Sequence, residues 1–530
     1  MLFTSYEFLG FIAVLFCAYY LVPRRCQWGL LLAASCLFYF IAGPEYLIYL
    51  AVTAATTWQA ALQIEKNARR QTSYLKARKD VLSKEEKKAY KAEQKRVRAH
   101  WAAACLLLNT GILAVVKYTN FFISNVNGIL DALGQTKLSF VTLALPMGIS
   151  FYTFQAAGYL IDVYRGKYPA ERNFFRFALF VSFFPQLVQG PISRFDELGS
   201  TLYQEHTFDS KTVCSGLQRI LWGYFKKMVI ADRILTAVSA IIGHTDTYSG
   251  AYVFVGMIFY TLELYADFTG GIDITIGIAE TMGITVQENF RRPYFSKSLK
   301  EYWRRWHISM CSWFRDYLFY PVSTSKWMQK FSKFTRGRLG ERIGRRLPVY
   351  LSSFIVWFAT GIWHGASWNF IVWGLLNWAV LMISEELEPL YQRFHDHFPA
   401  VGGKAVYRLF QVARTFLLVC VLNIFDCYPA LSTTAAMLGS MFTARNWSVL
   451  WDGSLMALGL SGLDYAILAA GVLLMLAVSL VQRGGSVREK IRAQRYPVRF
   501  VIWYGLFLVI LLMGAYGIGY DASQFIYNQF

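Results

Sequence analysis

The 530-residue sequence is poor in charge and contains none of the common signatures of soluble catalytic domains. Charged residues make up 16% of the chain, whereas 55% of its residues are hydrophobic. It has no Walker loop, no dinucleotide-binding glycine fingerprint and no HExxH metal motif. It also lacks a Gly-x-Ser-x-Gly elbow, so a covalent acyl-enzyme has no evident nucleophile.

Cysteine provides neither a disulfide framework nor a zinc site. The eight cysteines include no CxxC pair and no ligand-like spacing, and most of them lie in apolar runs. We therefore expect small buried hydrophobes, no metal site and no tightly bound cofactor. Strong alternation of hydrophobic and polar residues at period two is also absent, which argues against an outer-membrane barrel.

What the chain has instead is a succession of apolar runs. Their length predicts an all-α polytopic membrane protein with about eleven membrane-embedded helices plus interfacial helices. The runs lie at residues 8–22, 28–41, 46–64, 101–118, 138–164, 174–190, 213–242, 252–284, 349–383, 406–425, 463–481 and 501–519. The 213–242 run carries Lys226 and Lys227 in its middle, which predicts either two short pieces or an interfacial helix.

The net charge of +20 is concentrated in three polar stretches. Residues 65–100 carry a net charge of +8, residues 326–346 carry +7 and residues 482–499 carry +5. Basic loops beside membrane spans stay in the cytoplasm, so we expect topology and attraction to anionic lipids, with no nucleic-acid binding. The 65–100 stretch is then a cytoplasmic or membrane-surface helix, the first apolar run is retained, and the N-terminus lies outside.

Several runs contain polar or helix-breaking residues at membrane depth. Residues 146–148 include a proline and a glycine that should break one helix, and Gly270-Gly271 should break another. The 174–190 run ends in prolines, glutamines and a glycine, which predicts irregular backbone around a cavity. Glu263 and Asp267 share a helical face, and Asp267 either caps a helix at the glycine break or lines a polar channel.

A histidine interrupts the apolar run 349–383. The sequence Ile-Trp-His-Gly-Ala-Ser-Trp-Asn places His364 about 22 Å along a helix that starts near Val349, well inside a hydrocarbon core ~30 Å thick. An ionisable ring at that depth needs a hydrogen-bond partner between packed helices or a function. Span parity predicts that the run enters and leaves on the cytoplasmic side, with this histidine at its apex.

A second histidine, His307, follows two arginines where aromatic and cationic residues alternate. This pattern predicts an interfacial helix, and taken alone it is typical of a surface histidine. A polar pathway lined by one or two histidines suits general-base catalysis on a hydroxyl. An alternative of another class is a proton-coupled transporter or flippase, in which His364, Asp267 and Glu263 form a proton relay.

Five ordered stretches together resemble the membrane-bound O-acyltransferases, most closely the bacterial branch that contains the alginate O-acetyltransferase. They are PMGISFYTFQAAGYLIDVYRG (146–166), FFPQLVQGPISRF (183–195), LELYADFTGGIDITIGIA (262–279), NFRRPYFSKSLKEYWRRWHISMCSWFRDYLFYPV (289–322) and GIWHGASWNFIVWG (361–374). The resemblance implies a single domain over 1–530 with a family core at 140–380, C-terminal helices at 405–530 and a central funnel or tunnel.

The resemblance also implies roles for both histidines. His364 matches the family's membrane-embedded histidine and would be the catalytic base, and His307 matches the second histidine of the bacterial branch. The implied co-substrate is acetyl-CoA or another acyl thioester from the cytoplasm. The implied partners are membrane lipids and an extracytoplasmic acyl-accepting or transferase protein, in a bacterial cytoplasmic membrane. Candidate substrate-binding residues are Asn369, Trp303, Arg315 and Asp267.

The resemblance departs near the C-terminus. Alginate-type relatives commonly carry an aromatic-rich FFRA-like sequence there, whereas residues 423–428 are Asn-Ile-Phe-Asp-Cys-Tyr, without the arginine. Because of this departure, the resemblance does not identify the acceptor of the acyl group or the extracytoplasmic partner. The implied reaction is acetyl transfer to a hydroxyl of a cell-surface or exopolysaccharide acceptor, and the alternative within the class is D-alanyl transfer to teichoic acid from a carrier-protein thioester.

Overall fold

The computed structural model describes residues 3–516, and every regular element in that range is a helix. Within it, eight helices are long and apolar enough to cross a membrane, or nine when the bent pair Trp368–Glu386 and Glu388–His397 counts as one span. Tyr6–Leu21 and Phe174–Leu187 are shorter apolar helices. The predicted all-α multi-pass fold is confirmed, and the figure of about eleven embedded segments is reached only by including these short helices.

The chain divides into two compact units. The N-terminal unit comprises Ser5–Val213 and Ile278–Gln287, and the C-terminal unit comprises Cys214–Gly277 and the chain from Glu288 onward. The N-terminal unit contains α1 (Tyr6–Leu21), α2 (Gln27–Ala42), α3 (Tyr46–Ala77), α4 (Lys84–Ala132), α5 (Ile149–Arg165), α6 (Phe174–Ser182), α7 (Phe184–Gln189) and α8 (Phe195–Leu202).

The basic stretch 65–100 forms the adjoining ends of α3 and α4. Ser83 caps α4: its hydroxyl accepts a hydrogen bond from the Glu86 amide at 3.1 Å, and the Glu86 carboxylate accepts one from the Ser83 amide at 2.8 Å. The stretch is helical, as the sequence predicts. It continues two apolar helices, however, and does not form a separate surface helix.

The 138–164 run is helical only in its second half. Residues 135–146 have no regular structure, and α5 begins at Ile149, directly after Gly148 with its φ of +68°. The predicted break is confirmed, but the first half of the run is not a span. Asparagines of α4 bond its backbone instead, since the Leu138 amide donates to Asn127 at 2.7 Å and the Val141 amide donates to Asn120 at 2.9 Å.

The remaining helices lie wholly or mostly in the C-terminal unit. They are α9 (Ser210–Tyr224), α10 (Asp232–Gly243), α11 (Ala251–Thr281), α12 (Leu299–Trp303), α13 (Ile308–Phe314), α14 (Tyr320–Ser323), α15 (Lys326–His364), α16 (Trp368–Glu386), α17 (Glu388–His397), α18 (Pro399–Gly402), α19 (Ala405–Asn423), α20 (Leu431–Thr443), α21 (Gly462–Val481), α22 (Val487–Arg492) and α23 (Tyr496–Met513). The last predicted run, 501–519, extends beyond residue 516 and so lies partly outside the described residues.

Two buried lysines lie in a π-helical segment, Phe225–Ala231, that joins α9 to α10 without a break. The 213–242 run is therefore neither two separate pieces nor an interfacial helix. Lys226 Nζ lies 2.6 Å from an Asp273 carboxylate oxygen, and Lys227 Nζ lies 2.6 Å from Asp267 and 2.8 Å from Asp232. Each buried cation thus has a carboxylate partner, as a charge inside a protein requires.

Helix α11 passes through Gly270 and Gly271 without interruption, so the predicted glycine break is wrong. These small residues serve close packing. A Cβ added at Gly223 would lie 2.7 Å from the Gly270 carbonyl oxygen, and one at Gly277 would lie 2.8 Å from the Gly216 carbonyl oxygen. Because α11 is continuous, Asp267 caps nothing, and its carboxylate is held by Lys227.

The predicted interfacial helix around His307 is also wrong. In its place the chain forms the short helices α12, α13 and α14 and a second π-helical segment, Arg315–Phe319, with Trp303, Trp306 and His307 buried. The basic stretch 326–346 is the first part of α15, which is kinked where Gly340 adopts a φ of +78°. Only Cys105 and Cys420 of the eight cysteines are buried, so most cysteines are not the buried hydrophobes expected.

Replacement of Lys227 by Met should lower the free energy of unfolding by about 3–5 kcal/mol, because Asp267 and Asp232 lose a shared buried cation. Unfolding of the purified full chain in detergent micelles measures this. Lys300→Met is the matched control, because Lys300 and Glu385 are 58% and 54% exposed and such pairs contribute less than about 1 kcal/mol. An equal loss of unfolding free energy in the two variants would contradict the conclusion that Lys227 forms a stabilising buried ion pair.

Candidate active site

Helices α15 and α16 form a hairpin whose turn is residues 365–367, directly after His364. Glycines let the two backbones touch: a Cβ at Gly361 would lie 2.5 Å from the Phe370 carbonyl oxygen, and one at Gly374 would lie 2.5 Å from the Trp357 carbonyl oxygen. The predicted turn around the histidine is confirmed. The side of the membrane that the turn faces stays a prediction.

The His364 side chain is half-buried at the C-terminus of α15 and has aromatic neighbours. Its ring centroid lies 4.6 Å from that of Trp373 and 5.0 Å from that of Trp363, and the Phe370 ring is stacked on it at 6.3 Å. Two of these neighbours come from α16, so the glycine contacts of the hairpin set the enclosure. An imidazole in such surroundings is shielded from bulk water on several sides.

His307 is buried, with 1% of its surface exposed, so it is not a surface histidine. It sits in the left-handed region, at φ 44° and ψ 54°, as the residue that precedes α13. Its ring lies 5.0 Å from the Phe268 ring and 6.0 Å from the Trp363 ring. The two predicted catalytic histidines therefore contact the same indole ring, that of Trp363.

Asn289 fixes the orientation of the His307 ring. The Asn289 side-chain oxygen accepts hydrogen bonds from both the amide and the hydroxyl of Ser309 at 2.9 Å. The Asn289 amide nitrogen lies 3.2 Å from His307 Nδ1. With the oxygen already accepting two bonds, the amide donates to Nδ1, so the neutral ring carries its proton on Nε2. His307 then presents a hydrogen-bond donor.

Asn369, predicted to bind substrate, is tied into the fold. Its side-chain nitrogen donates to the carbonyl oxygen of Tyr428 and lies 3.4 Å from the Thr434 hydroxyl. It thereby joins the start of α16 to the segment where the sequence departs from the alginate-type pattern. The nearby Asp426 is part of a short 3₁₀ turn, Ile424–Asp426.

Of the other three predicted substrate-binding residues, Trp303 and Asp267 lie near residues that contact the histidines, and Arg315 does not. Trp303 is close, since its ring lies 5.7 Å from the Trp373 ring and its indole nitrogen donates to Asn377 at 3.1 Å. Asp267 is paired with Lys227 and precedes Phe268, which packs on His307. Arg315 is exposed and pairs with the adjacent Asp316 at 2.9 Å, so the structure does not bring it to the histidines.

Two residues of the site were missed in the sequence. Trp373 contacts His364, and its buried indole nitrogen has no hydrogen-bond partner among residues 3–516. The antiparallel pairing of a helical hairpin could have pointed to it. Asn289 gives no local signal, because its relation to His307 arises only from the tertiary fold.

Asn369→Ala should lower the free energy of unfolding by about 1–3 kcal/mol, because a buried carbonyl loses its donor. Unfolding of the full chain in detergent measures this. Asn120→Ala removes two hydrogen bonds with the Val141 backbone, but both are exposed, so water can replace the lost partner and the cost should be less than about 1 kcal/mol. Unchanged stability with weakened substrate binding would contradict the structural role and favour the substrate-binding one.

Known proteins share both the family pattern and most of the length of this chain. The model of the membrane-bound O-acyltransferase (MBOAT) family matches residues 169–336. A protein named "probable alginate O-acetylase AlgI" from Pseudomonas putida is 32% identical over 481 residues, which cover 89% of this chain and 86% of that protein.

Relatives with two other names also match. A peptidoglycan O-acetyltransferase of Helicobacter pylori is 32% identical over 329 residues, 57% of this chain and 58% of that protein. A teichoic acid D-alanyltransferase of Bacillus subtilis is 28% identical over 282 residues, 52% of this chain and 66% of that protein. Together with the helical membrane fold, these matches establish that the chain belongs to the membrane-bound O-acyltransferase family and is a multi-pass O-acyltransferase.

Proposed function

We propose that the protein transfers an acetyl group from a cytoplasmic acyl thioester, acetyl-CoA, to a hydroxyl of a cell-surface polysaccharide. The observation that carries the proposal is His364 beside the hairpin turn, with aromatic rings around it and with the Trp363 indole in contact with both His364 and His307. An enclosed imidazole beside a second, oriented imidazole is suited to moving one proton between two bound substrates.

His364 is the general base of this proposal. Its imidazole takes the proton of the acceptor hydroxyl, and the resulting alkoxide oxygen bonds to the thioester carbonyl carbon. When the tetrahedral intermediate collapses, the carbon–sulfur bond breaks and the thiolate takes the proton back from His364. Atoms and charges balance without a covalent enzyme intermediate, in agreement with the missing nucleophile motif.

His307 and Trp373 supply hydrogen-bond donors in this scheme. The Asn289 amide leaves the proton of His307 on Nε2, and the Trp373 indole nitrogen has no hydrogen-bond partner in the described part of the chain. Donors held in place before reaction stabilise the negative charge that develops on the carbonyl oxygen. His307 therefore supports the reaction as a donor, whereas His364 exchanges the proton.

The acceptor class rests on the relatives. Two of the three carry names for O-acetylation, of alginate and of peptidoglycan, both of which are carbohydrate polymers. The D-alanyltransferase of Bacillus subtilis favours a second candidate, transfer of D-alanine from a carrier-protein thioester. In both cases the donor enters from the cytoplasm, the protein lies in the bacterial cytoplasmic membrane with its N-terminus outside, and an extracytoplasmic protein receives or passes on the acyl group.

His364→Ala should abolish thioester turnover while the protein stays folded in the membrane, because no other group is placed to take the hydroxyl proton. The measurement is loss of labelled acetyl-CoA by the purified protein in nanodiscs with a polysaccharide acceptor. His100→Ala, at an exposed histidine of α4, is the control and should be fully active. Turnover retained by His364→Ala would end the base assignment, and turnover only with a charged carrier protein would select D-alanylation.

Substitution by glutamine separates the two histidine roles. His307→Gln keeps a side-chain N–H donor and should retain measurable turnover, whereas His364→Gln offers no comparable base and should have none. Equal loss in the two glutamine variants would contradict the assignment of His307 as a donor.

Trp373→Phe should lower kcat about tenfold to a hundredfold with little change in KM, because the ring remains while a transition-state donor is lost. Trp378→Phe, on the same helix, is the matched control, since its indole nitrogen already donates to the Tyr350 carbonyl at 3.1 Å. Its kcat should change little. A rise in KM alone for Trp373→Phe would place this residue in substrate binding and not in charge stabilisation.

A further inference from the structure

A cavity of about 860 Å³ lies within the C-terminal unit, and neither catalytic histidine is among its lining residues. Its walls come from α9 and the π-helical segment after it, from α11, from residues 288–292 and from α21, α22 and α23. This volume is in the range of sites that hold a cofactor-sized or drug-sized molecule, roughly 300–1,000 Å³. The proposed reaction gives this space no role.

One wall of the cavity is apolar and belongs to two helices at the protein surface. Helices α21 and α23 are the least buried of the eight candidate spans, because only 17% and 11% of their apolar stretches are buried inside the protein. Their aliphatic and methionine side chains in the lining are Leu474, Met475, Val478, Ile502, Leu506 and Val509, and the same helices also contribute Ser479 and Trp503. Helices so exposed lie against the hydrocarbon of a bilayer, so this wall fits a hydrocarbon chain.

The charged side chains of the lining are mainly cationic. The lining contains five cationic side chains and two carboxylates, a net charge of +3. Both carboxylates are occupied: Arg219 lies 2.9 Å from Asp273 and 2.6 Å from Glu288, and Lys226 lies 2.6 Å from Asp273. The other three cations of the lining are Arg291, Arg292 and Arg488.

Two buried donors in the cavity lack a hydrogen-bond partner within residues 3–516. They are Nε of Arg292 and the indole nitrogen of Trp503. Arg292 also has a φ of 52°, a conformation that non-glycine residues rarely adopt. An unsatisfied buried donor is unfavourable unless a ligand supplies the acceptor, and strained backbone is often found at such sites. A ligand with hydrogen-bond acceptors would satisfy both donors, and the positive charge of the lining favours a ligand that is an anion.

We propose that this cavity binds an anionic glycerophospholipid. Its phosphate accepts hydrogen bonds from Arg292 and Trp503, and one acyl chain follows the apolar wall formed by α21 and α23. Basic pockets between membrane helices bind anionic headgroups in this way, and arginine is well suited to phosphate oxygens. The cavity adjoins the basic stretch 482–499, which is predicted to face the anionic cytoplasmic leaflet. This inference does not depend on the proposed acyl transfer.

Native mass spectrometry of the delipidated full chain in mild detergent tests the proposal. Dioleoyl-phosphatidylglycerol should bind one molecule per chain, about tenfold more tightly than dioleoyl-phosphatidylcholine. Arg292→Gln and Trp503→Phe should each weaken that binding about tenfold. Without lipid, both variants should stay folded, because neither Arg292 Nε nor the Trp503 indole nitrogen has a hydrogen-bond partner in the described chain, and Arg292→Gln removes only the contact of the guanidinium with the Phe295 ring.

Arg492→Gln is the matched control, because Arg492 lies in the same basic stretch but does not line the cavity. Its affinity for phosphatidylglycerol should be unchanged. Equal binding of the two lipids, or equal weakening by Arg492→Gln and Arg292→Gln, would overturn the proposal. Displacement of the lipid by inorganic phosphate would show a plain anion site, and displacement by acetyl-CoA would show a donor site, and either result would also overturn it.

Discussion

The contact between α11 and the α9–π-helical stretch is the constraint on which the catalytic half of the molecule depends. Two buried lysines in the π-helical segment each face a carboxylate of α11 at 2.6 Å. Leaving one partner of such a pair alone costs several kcal/mol, so the register of the two helices is strongly fixed. The glycines along the contact bring the backbones close enough for these short ion pairs to form.

This fixed helix reaches the candidate active site through one aromatic residue. Phe268 follows Asp267 on α11 and packs against the His307 ring at 5.0 Å. His307 lies against Trp363, and Trp363 lies against His364. The ion pairs thus support the position of His307, a candidate catalytic residue, without touching it. A carboxylate that in the sequence could belong to a proton relay is here part of the frame.

The sequence predicted those features whose cause is local. An ionisable residue with glycines beside it in an apolar run indicated the hairpin turn at His364, and Pro146 with Gly148 indicated the start of α5. Predictions failed where a distant partner decides the outcome. Gly270 and Gly271 do not break α11, because their small size serves packing against α9. Lys226 and Lys227 are buried, because carboxylates about forty residues later in the chain face them. Nothing near Asn289 reveals its contact with His307.

The candidate active site and the cationic cavity share one feature, which is a buried hydrogen-bond donor without a partner in the described part of the chain. In a membrane interior, a buried N–H without an acceptor costs about 1–3 kcal/mol, and no water is present to lower that cost. Lys226, Lys227 and Asn289 avoid this cost, because each has an acceptor at 2.6–3.2 Å. The side-chain N–H groups of Trp373, Arg292 and Trp503 have no acceptor in the described part of the chain. Trp373 lies beside His364, and the other two line the cavity. A bound substrate or lipid that supplied the acceptor would remove this cost for each of the three donors.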